Sequence, residues 1–381
     1  MYSQEEINSA VAAGAISEDA ANGLRTHVAK LRAMPIANEE QFRLITSFND
    51  IFVTIGVIIM LIAVGSIGGA VIGGIEPDNV WQLALMGALP SALVAATAWG
   101  LAEIFTRKRR MALPSIILLL AFVGASFALV LSVLVLPFGL IFGPGSFAAA
   151  EAAGWEPDET LGAIVVAAML TLTGAATTWL TWQHWKRFMV PVTVAAGTTA
   201  VVGTFVAIVQ ITSAIITDGN SFPALMPVLF LAGIGVFAFA MWWDMSDRSR
   251  TTRRSDVAFW LHMLSAPIIA HTVFSSIGLT GSGVTGVGGA VAVLLVYIIF
   301  GVVALIIDRR ALLVSALVYV LFALTFLFSR FGAVELNFAL TAFVIGSALL
   351  SLSVFWTPIR QKLVAMLPDE MQGRLPSIAS T

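Results

Sequence analysis

Residues 260–271 read WLHMLSAPIIAH and place two histidines and a proline within a strongly apolar part of the chain. An imidazole titrates near neutral pH, so His262 and His271 have the chemistry to relay protons, sense pH or bind a metal ion. They are nine positions apart, a rise of about 13.5 Å that leaves them on opposite sides of a straight helix. Pro267 would kink the helix without bringing the rings together. This spacing excludes a metal site unless other segments supply the remaining ligands.

Two interpretations of these histidines are open. Ser265 lies three residues from His262 and Ser275 four residues from His271, so neutral rings hydrogen-bonded inside a packed bundle would explain both. Alternatively, the kinked segment lines a polar cavity with one histidine towards each mouth. The other candidate cavity-lining residues are Gln210 and a threonine stripe at four-residue spacing, namely Thr173, Thr177 and Thr181.

The composition indicates that transmembrane helices carry these residues. Only 11% of the 381 residues are charged and 59% are hydrophobic, whereas a soluble domain has about 25% charged residues. One helical passage through a bilayer takes roughly 20 apolar residues. We therefore predict an all-α fold, a polytopic transmembrane bundle with about ten spans. The predicted spans are 50–74, 80–105, 113–142, 161–182, 190–216, 222–243, 257–279, 287–307, 311–329 and 336–357.

The basic residues predict the orientation. All but one of the 20 Lys and Arg residues lie in alternate connections (TRKRR, QHWKR, DMSDRSRTTRRSD and DRR) or in the two tails, and the exception is Arg330. Lys and Arg accumulate on the cytoplasmic side of a membrane protein. We therefore predict a cytoplasmic helical hairpin at 1–47, a ten-span bundle at 48–357 and a cytoplasmic tail at 358–381.

Several polar and small residues at the span ends have structural interpretations. Asp50 is predicted to cap the first span, Glu103 to pair with Arg107 four residues later, and Asp308 to be solvated. The series Gly65, Gly69 and Gly73 predicts a close-packing helix face. Six tryptophans near the cytoplasmic ends predict an interfacial belt. They are Trp182, Trp185, Trp242, Trp243, Trp260 and Trp356.

The first segment predicts two short helices on either side of Gly14, capped by Ser3 and Ser17 and ended by Pro35. EEINSAVAAGAISEDAANGLRTHV followed by FNDIFVTIGVIIMLIAVG resembles the start of the bacterial membrane proteins grouped as domain-of-unknown-function family 2157. The resemblance covers about the first 75 residues. It implies a bacterial inner-membrane protein with a helical hairpin before many spans, and it implies no activity and no catalytic residues.

Three re-entry turns have similar sequences, EIFTRKRRMALPSI, WQHWKRFMVPVTV and LIIDRRALLVSAL. Either a two-helix hairpin has been duplicated, or basic turns with re-entry prolines have converged. Ten spans would also divide into an inverted repeat of five and five, as in several transporter folds. No residue-level match between the halves supports that division.

No motif of a hydrolase, metalloenzyme or nucleotide-binding protein is present, so we expect no enzymatic activity and no cofactor or metal. Apart from an intramembrane enzyme, which would need a clustered acid, base or metal ion, two functions are left. One is transport of a small or amphipathic solute through a polar cavity between spans. The other is a non-transporting membrane scaffold or sensor whose N-terminal hairpin docks a cytoplasmic protein partner. The expected environment is a bacterial inner membrane, with the lipid bilayer as partner and no nucleic acid.

Overall fold

The protein is helical throughout the residues that a computed structural model describes. These residues are 4–33, 48–73, 80–141, 159–216, 225–248, 250, 252–276, 286–331 and 336–376. No β-strand occurs within these ranges.

Ten of the helices are long and apolar enough to cross a membrane. They are α3 (Phe48–Ile72), α4 (Val80–Ala102), α5 (Ala112–Ile141), α6 (Glu159–Phe188), α7 (Val192–Ile216), α8 (Leu225–Met245), α9 (Arg253–Ser276), α10 (Gly286–Ile307), α11 (Ala311–Arg330) and α12 (Asn337–Ala365). Large apolar side chains such as Ile59, Phe343 and Leu350 are 61–72% exposed on their outer faces. Such faces are stable in lipid and not in water. The chain is therefore a multi-pass integral membrane protein, and the prediction of an all-α bundle is confirmed.

The N-terminal segment contains the two predicted short helices, α1 (Gln4–Ala12) and α2 (Glu18–Ala33). Gly14 lies between them at a positive φ of 69°, a conformation that costs glycine little. The Ser17 hydroxyl accepts a hydrogen bond of 3.1 Å from the backbone N–H of Ala20, which is the predicted cap of α2. Ser3 and Pro35 lie outside the described residues.

Four antiparallel helix pairs, α4–α5, α6–α7, α8–α9 and α10–α11, are each joined by a tight turn at one end of the bundle, which we call the basic end. Each of the four turns contains a non-glycine residue with a left-handed backbone. Arg110, Met189, Arg250 and Asp308 have φ between 52° and 58°. A left-handed residue commonly ends a helix and redirects the chain. Duplication and convergence both account for this recurrent geometry.

Glycine allows α3 to approach α4 closely. A Cβ added at Gly68 would lie 2.7 Å from the Cα of Pro90, and one at Gly65 would lie 3.3 Å from Val94. Gly69 faces open space, and Gly73 meets only the backbone of its own helix. The predicted face of Gly65, Gly69 and Gly73 is therefore wrong in register, because the contact uses residues three apart.

The helix that carries both histidines, α9, is the central one. In its apolar stretch 56% of the residues are buried, whereas the corresponding share is at most 33% in the other nine spans described. It packs against α7, α8 and α11. A buried apolar cluster joins it to α7 and α8 through Ala195, Val236, Ala240, Val257 and Leu261. Most of the surface of α9 therefore faces neighbouring helices and not lipid, and polar groups on that part of the helix lie inside the bundle.

The last span is longer than predicted. α12 continues through Pro358 to Ala365, eight residues beyond the predicted end at 357. The chain then turns through α13 (Asp369–Gln372) and returns to the bundle, where Leu375 is buried in the same apolar cluster as α9 to α12. Arg248 donates from Nε to the carbonyl oxygen of Leu375 at 2.9 Å. The described part of the C-terminal segment therefore packs against the basic end.

Candidate functional site

A carboxylate and a guanidinium pair inside the bundle near the basic end. Asp244, at the end of α8, and Arg309, in the turn after α10, are 1% and 3% exposed. Arg309 donates from Nε to Asp244 Oδ2 at 3.1 Å and from a terminal nitrogen to Oδ1 at 2.5 Å. The same terminal nitrogen donates to the backbone oxygen of Ser255 at 3.1 Å. Two parallel bonds of this kind fix both groups in orientation and position.

His262 completes this buried cluster from the central helix. Its Nε2 lies 2.9 Å from Asp244 Oδ2, and because a carboxylate only accepts hydrogen bonds, the imidazole is the donor. The ring is 2% exposed and meets the edge of Phe237 at 5.2 Å. Ser265, the partner expected from spacing, instead donates to the backbone oxygen of His262 at 3.2 Å. We call Asp244, His262 and Arg309 the ionic triad.

The position of Asp244 explains why it has both a guanidinium and an imidazole as partners. A carboxylate at the C-terminal end of a helix faces the negative end of the helix dipole, which disfavours Asp244 at the end of α8. Burial adds a desolvation penalty. Arg309 offsets both effects, and His262 satisfies a second lone pair of the Oδ2 atom that Arg309 already contacts. The triad is a closed arrangement that links α8, α9 and the α10–α11 turn.

A second polar cluster surrounds Asp308, which was predicted to be solvated. That prediction is wrong, because its side chain is only 11% exposed. Arg250 donates to Oδ2 at 2.8 Å, and the indole nitrogen of Trp356 donates to Oδ1 at 2.7 Å. Arg360, 3% exposed, lies 3.8 Å from the same oxygen and donates to the backbone oxygen of Pro376 at 2.8 Å. Asp308 therefore connects the α10–α11 turn with α12, and Arg360 connects α12 with the C-terminal segment.

His271 lies on the other side of α9, as the spacing predicted. It is exposed at the bundle surface, and its Nδ1 is 2.9 Å from the hydroxyl of Tyr319 in α11. The Tyr319 ring stacks on Phe274 with centroids 4.4 Å apart. The observed hydrogen-bond partner is thus a tyrosine of another helix, whereas Ser275 was the partner expected from spacing.

The threonine stripe faces into the bundle. Thr173, Thr177 and Thr181 are at most 2% exposed, and Thr181 contacts Gly197 of α7 across the helix interface. The Thr181 hydroxyl donates to the backbone oxygen of Thr177 at 2.7 Å. Gln210, half-buried in α7, has a side-chain oxygen without a hydrogen-bond partner among the described residues, as do Thr173 and Thr177 at their hydroxyls.

Two adjoining cavities form a groove between α6, α7 and α8. The larger, about 470 Å³, is lined by Thr181, Trp182, Trp185, Trp243 and neighbours. The smaller, about 310 Å³, continues along Phe205, Ala232 and Gly235. Both include Thr198, Val201 and Phe239, so they are continuous. Trp182 and Val201 are about half exposed, which means that the groove opens sideways towards lipid. We call it the lateral groove.

A third cavity, about 330 Å³, lies at the basic end between the α4–α5 turn, the α6–α7 turn and the start of α9, and we call it the interfacial cavity. Arg110, Arg253 and Asp256 supply charge, and Ile116 and Trp260 supply apolar walls. Of the six candidate residues, only Thr181 lines any of these three cavities. A single cavity joining His262, His271, Gln210 and the stripe stays a prediction.

Predictions for the span ends had mixed outcomes. Glu103 pairs with Arg107 at 3.1 Å, as predicted, and also with Arg187 of α6 at 2.6 Å. Asp50 lies within the first turn of α3 and does not precede it, because the helix already includes Phe48. Trp182 and Trp242 are exposed at the basic end, which fits an interfacial belt. Trp356 is 5% exposed and bonded to Asp308, so its assignment to the belt is wrong.

Sequence reasoning missed the triad's two charged members and a second buried histidine. His184 is 1% exposed, with Nδ1 3.3 Å from the Thr193 hydroxyl and rings of Trp99, Phe122 and Phe188 around it. His184 precedes Trp185 in the QHWKR segment, which was used only for the orientation given by its basic residues. A longer predicted helix would have identified His184 as a bundle residue, because α6 extends to Phe188 and so includes it.

Within the part of the chain that the structure describes, no group of three or more His, Asp or Glu residues is placed to hold a metal ion. Comparisons with protein-family models, with curated proteins and with solved structures gave no match to this chain. The resemblance of the first 75 residues to domain-of-unknown-function family 2157 therefore stays a prediction, and the functional argument depends on this chain's own residues.

Proposed function

We propose that this multi-pass protein lies in a bacterial inner membrane with its basic end in the cytoplasm, and that it moves an amphipathic solute along the lateral groove. The orientation is supported by the sorting of all Lys and Arg residues except Arg330 to one side. The bacterial membrane is implied by the resemblance of the N-terminal segment. We expect no catalytic activity.

The observation that carries the transport proposal is the character of the lateral groove. It is continuous over two cavities, opens towards lipid and has mostly apolar walls. Threonine hydroxyls are spaced along it at Thr178, Thr181, Thr193 and Thr198. Thr178 and Thr198 each donate to the backbone carbonyl four residues earlier, at 2.8 Å, so their oxygens keep a free lone pair for a solute. Apolar walls with a line of acceptors suit a solute that has a polar head and an apolar tail.

The triad argues against a polar route through the centre of the bundle. Both oxygens of Asp244 and the guanidinium of Arg309 are bonded to protein groups in a closed arrangement. A coupled ion pump usually needs an ionisable group open to the translocated ion within the membrane. A lateral path for an amphipathic solute needs no such group.

Filling the groove tests this proposal. Gly235 lines the smaller of its two cavities, and a Cβ at this position would meet open space, so Gly235→Leu should fold normally while occupying the groove. We expect at least about a tenfold lower rate of transbilayer movement, equivalent to roughly 1.4 kcal/mol in the barrier. The measurement is dithionite quenching of a fluorescent phospholipid in proteoliposomes.

Gly203→Leu is the matched control. Gly203 is also exposed and faces open space on the neighbouring helix α7, but it lines neither cavity of the groove. This variant should retain the wild-type rate. Equal rates for wild-type protein and protein-free vesicles would contradict transport, and equal rates for the two variants would contradict the groove as its route.

A specific observation favours the alternative function, a non-transporting scaffold or sensor. Such a module needs a core packed shut with its polar groups satisfied by neighbours, and His262 meets that description. In this alternative, helices α1 and α2 dock a cytoplasmic protein partner. Protein-free rates in the proteoliposome measurement, with a folded protein, would favour this alternative.

A further inference from the structure

The interfacial cavity has features of a binding site that transport through the lateral groove does not use. It lies where the α4–α5 turn, the α6–α7 turn and the start of α9 meet, and its volume is about 330 Å³. Its floor includes Ile116 and Trp260, and its mouth includes Arg110 and Arg253, both exposed. The cavity therefore runs from the basic surface towards the apolar part of the bundle.

The two guanidinium groups at the mouth are available to a ligand. Neither Arg110 nor Arg253 makes a side-chain hydrogen bond or ion pair within the described residues, in contrast to Arg250, Arg309 and Arg360 at the same end. Guanidinium is planar, permanently charged and well suited to two-point binding of phosphate oxygens. The mouth of the cavity therefore favours a phosphate group.

A carboxylate in the same cavity restricts the ligand further. Asp256 is half-buried one turn after Arg253, its carboxylate makes no hydrogen bond to any residue that the structure describes, and its charged neighbours there are Arg253, Arg309 and Asp247. A ligand with only negative charge would be repelled by Asp256, and a ligand with only positive charge would be repelled by the two arginines. A group that carries both a phosphate and an ammonium complements all three side chains.

A buried hydroxyl in the wall supplies independent support for a ligand. Thr106 is 8% exposed and lines the cavity, and its hydroxyl has no hydrogen-bond partner among the described residues. A buried polar atom without a partner carries a desolvation cost that a ligand would relieve. Thr106 also lies in the π-helical segment Glu103–Lys108, a distortion that is frequent at functional sites.

The depth of the cavity indicates that the ligand is a lipid. Trp260 is seven residues from Arg253 along α9, a rise of about 10 Å from the mouth. An indole and an apolar side chain at this depth fit the glycerol and first acyl carbons below a headgroup. We propose that the interfacial cavity binds an aminophospholipid, with its phosphate at Arg110 and Arg253, its primary ammonium at Asp256 and an oxygen at the Thr106 hydroxyl.

Lipid retention tests this proposal whether or not the protein transports anything. Full-length protein is equilibrated in mixed micelles with equimolar phosphatidylethanolamine, phosphatidylglycerol and phosphatidylcholine, and the bound lipids are identified by native mass spectrometry. We expect phosphatidylethanolamine to be retained about tenfold more than either other lipid, because only it offers both the phosphate and a hydrogen-bonding ammonium.

Variants assign the effect to the cavity. Asp256→Asn should lower the preference for phosphatidylethanolamine over phosphatidylglycerol at least fivefold, which corresponds to roughly 1 kcal/mol of binding free energy. Arg253→Gln should lower retention of both, whereas Arg254→Gln, an exposed neighbour outside the cavity, should leave retention unchanged. Thermal unfolding of each variant shows whether it is folded. If a charge variant does not fold, Thr106→Val decides the test, because it removes only one hydroxyl and should lower retention two- to fivefold.

Three results would overturn the proposal. The first is equal retention of the three lipids by the wild-type protein, and the second is an unchanged preference in folded Asp256→Asn. The third is displacement of the lipid by equimolar soluble glycerophosphoethanolamine, which would mean that the cavity recognises a free phosphate ester and not a membrane lipid.

Discussion

Asp244→Asn is expected to destabilise the protein by about 3–5 kcal/mol, the usual cost of leaving one partner of a buried ion pair uncompensated. The substitution keeps the size of the side chain but removes its charge, and Arg309 then stays buried at 3% exposure without the carboxylate that accepts two of its hydrogen bonds. An amide has only one oxygen, so one of the two positions that now accept hydrogen bonds from His262 and Arg309 becomes an NH2 donor and opposes them. We expect the apparent Tm in detergent to fall by on the order of 10 °C.

Two variants separate the triad from a general effect of removing a charge. Asp369→Asn changes the same functional group on the exposed α13 and should shift the Tm by less than about 1 °C. Asp244→Leu combined with Arg309→Met replaces the pair by apolar side chains and should recover most of the loss, as a buried pair and its apolar replacement are often similar in stability. An unchanged Tm for Asp244→Asn would contradict the buried triad.

Gly174→Ala is expected to destabilise the protein, because the added methyl group would overlap a side chain of the neighbouring helix. A Cβ at this position in α6 would lie 1.7 Å from Thr204 Oγ1 and 2.9 Å from Thr204 Cβ in α7. Rotating the threonine cannot relieve a contact that involves its Cβ, so the two helices must separate. Overpacking of this kind costs about 1–3 kcal/mol, and unfolding in detergent followed by intrinsic fluorescence measures it.

The matched control is Gly203→Ala, next to Thr204 on α7, where an added Cβ would meet open space. It should leave stability unchanged or raise it slightly, because alanine favours helix more than glycine does. The double variant Gly174→Ala with Thr204→Ala should recover part of the loss. Equal stabilities for Gly174→Ala and Gly203→Ala would mean that α6 and α7 do not approach as closely as described.

The helices could be predicted from the sequence because each span carries its own signal. Long apolar runs separated by charged or glycine-rich connections gave all ten spans, and the two helices around Gly14 followed from local capping residues. The positions of His262 and His271 on opposite sides of one helix followed from helical periodicity alone. These features depend on neighbouring residues, which a single sequence contains.

The ionic triad could not be predicted in the same way. Its members are 18 and 65 residues apart along the chain, and the pairing depends on how α8, α9 and α10 pack. The prediction also ended its spans at 243 and 307, which assigned Asp244 and Arg309 to solvated turns. Extending the predicted span that ends at 243 by one residue would have placed the Asp244 carboxylate inside the membrane. A carboxylate at that position needs a polar or charged partner.

The burial of Asp308 was missed for a related reason. Its neighbours Arg309 and Arg310 suggested a solvated basic turn, whereas the observed partners Trp356 and Arg360 come from the extended end of α12. The apolar run ends near residue 357, so hydropathy gave no reason to continue the helix to Ala365. Contacts with the C-terminal segment, such as Arg360 with Pro376, stabilise that extension.

The proposed orientation requires α9 to cross the membrane with its basic end in the cytoplasm. The chain has no cysteine, so single cysteines at Ser249 and Ser282, before and after α9, can be labelled without background. In spheroplasts, a membrane-impermeant maleimide should label Ser282→Cys, and it should label Ser249→Cys only after lysis. Labelling of both positions in intact spheroplasts, or of Ser249→Cys alone, would contradict the account.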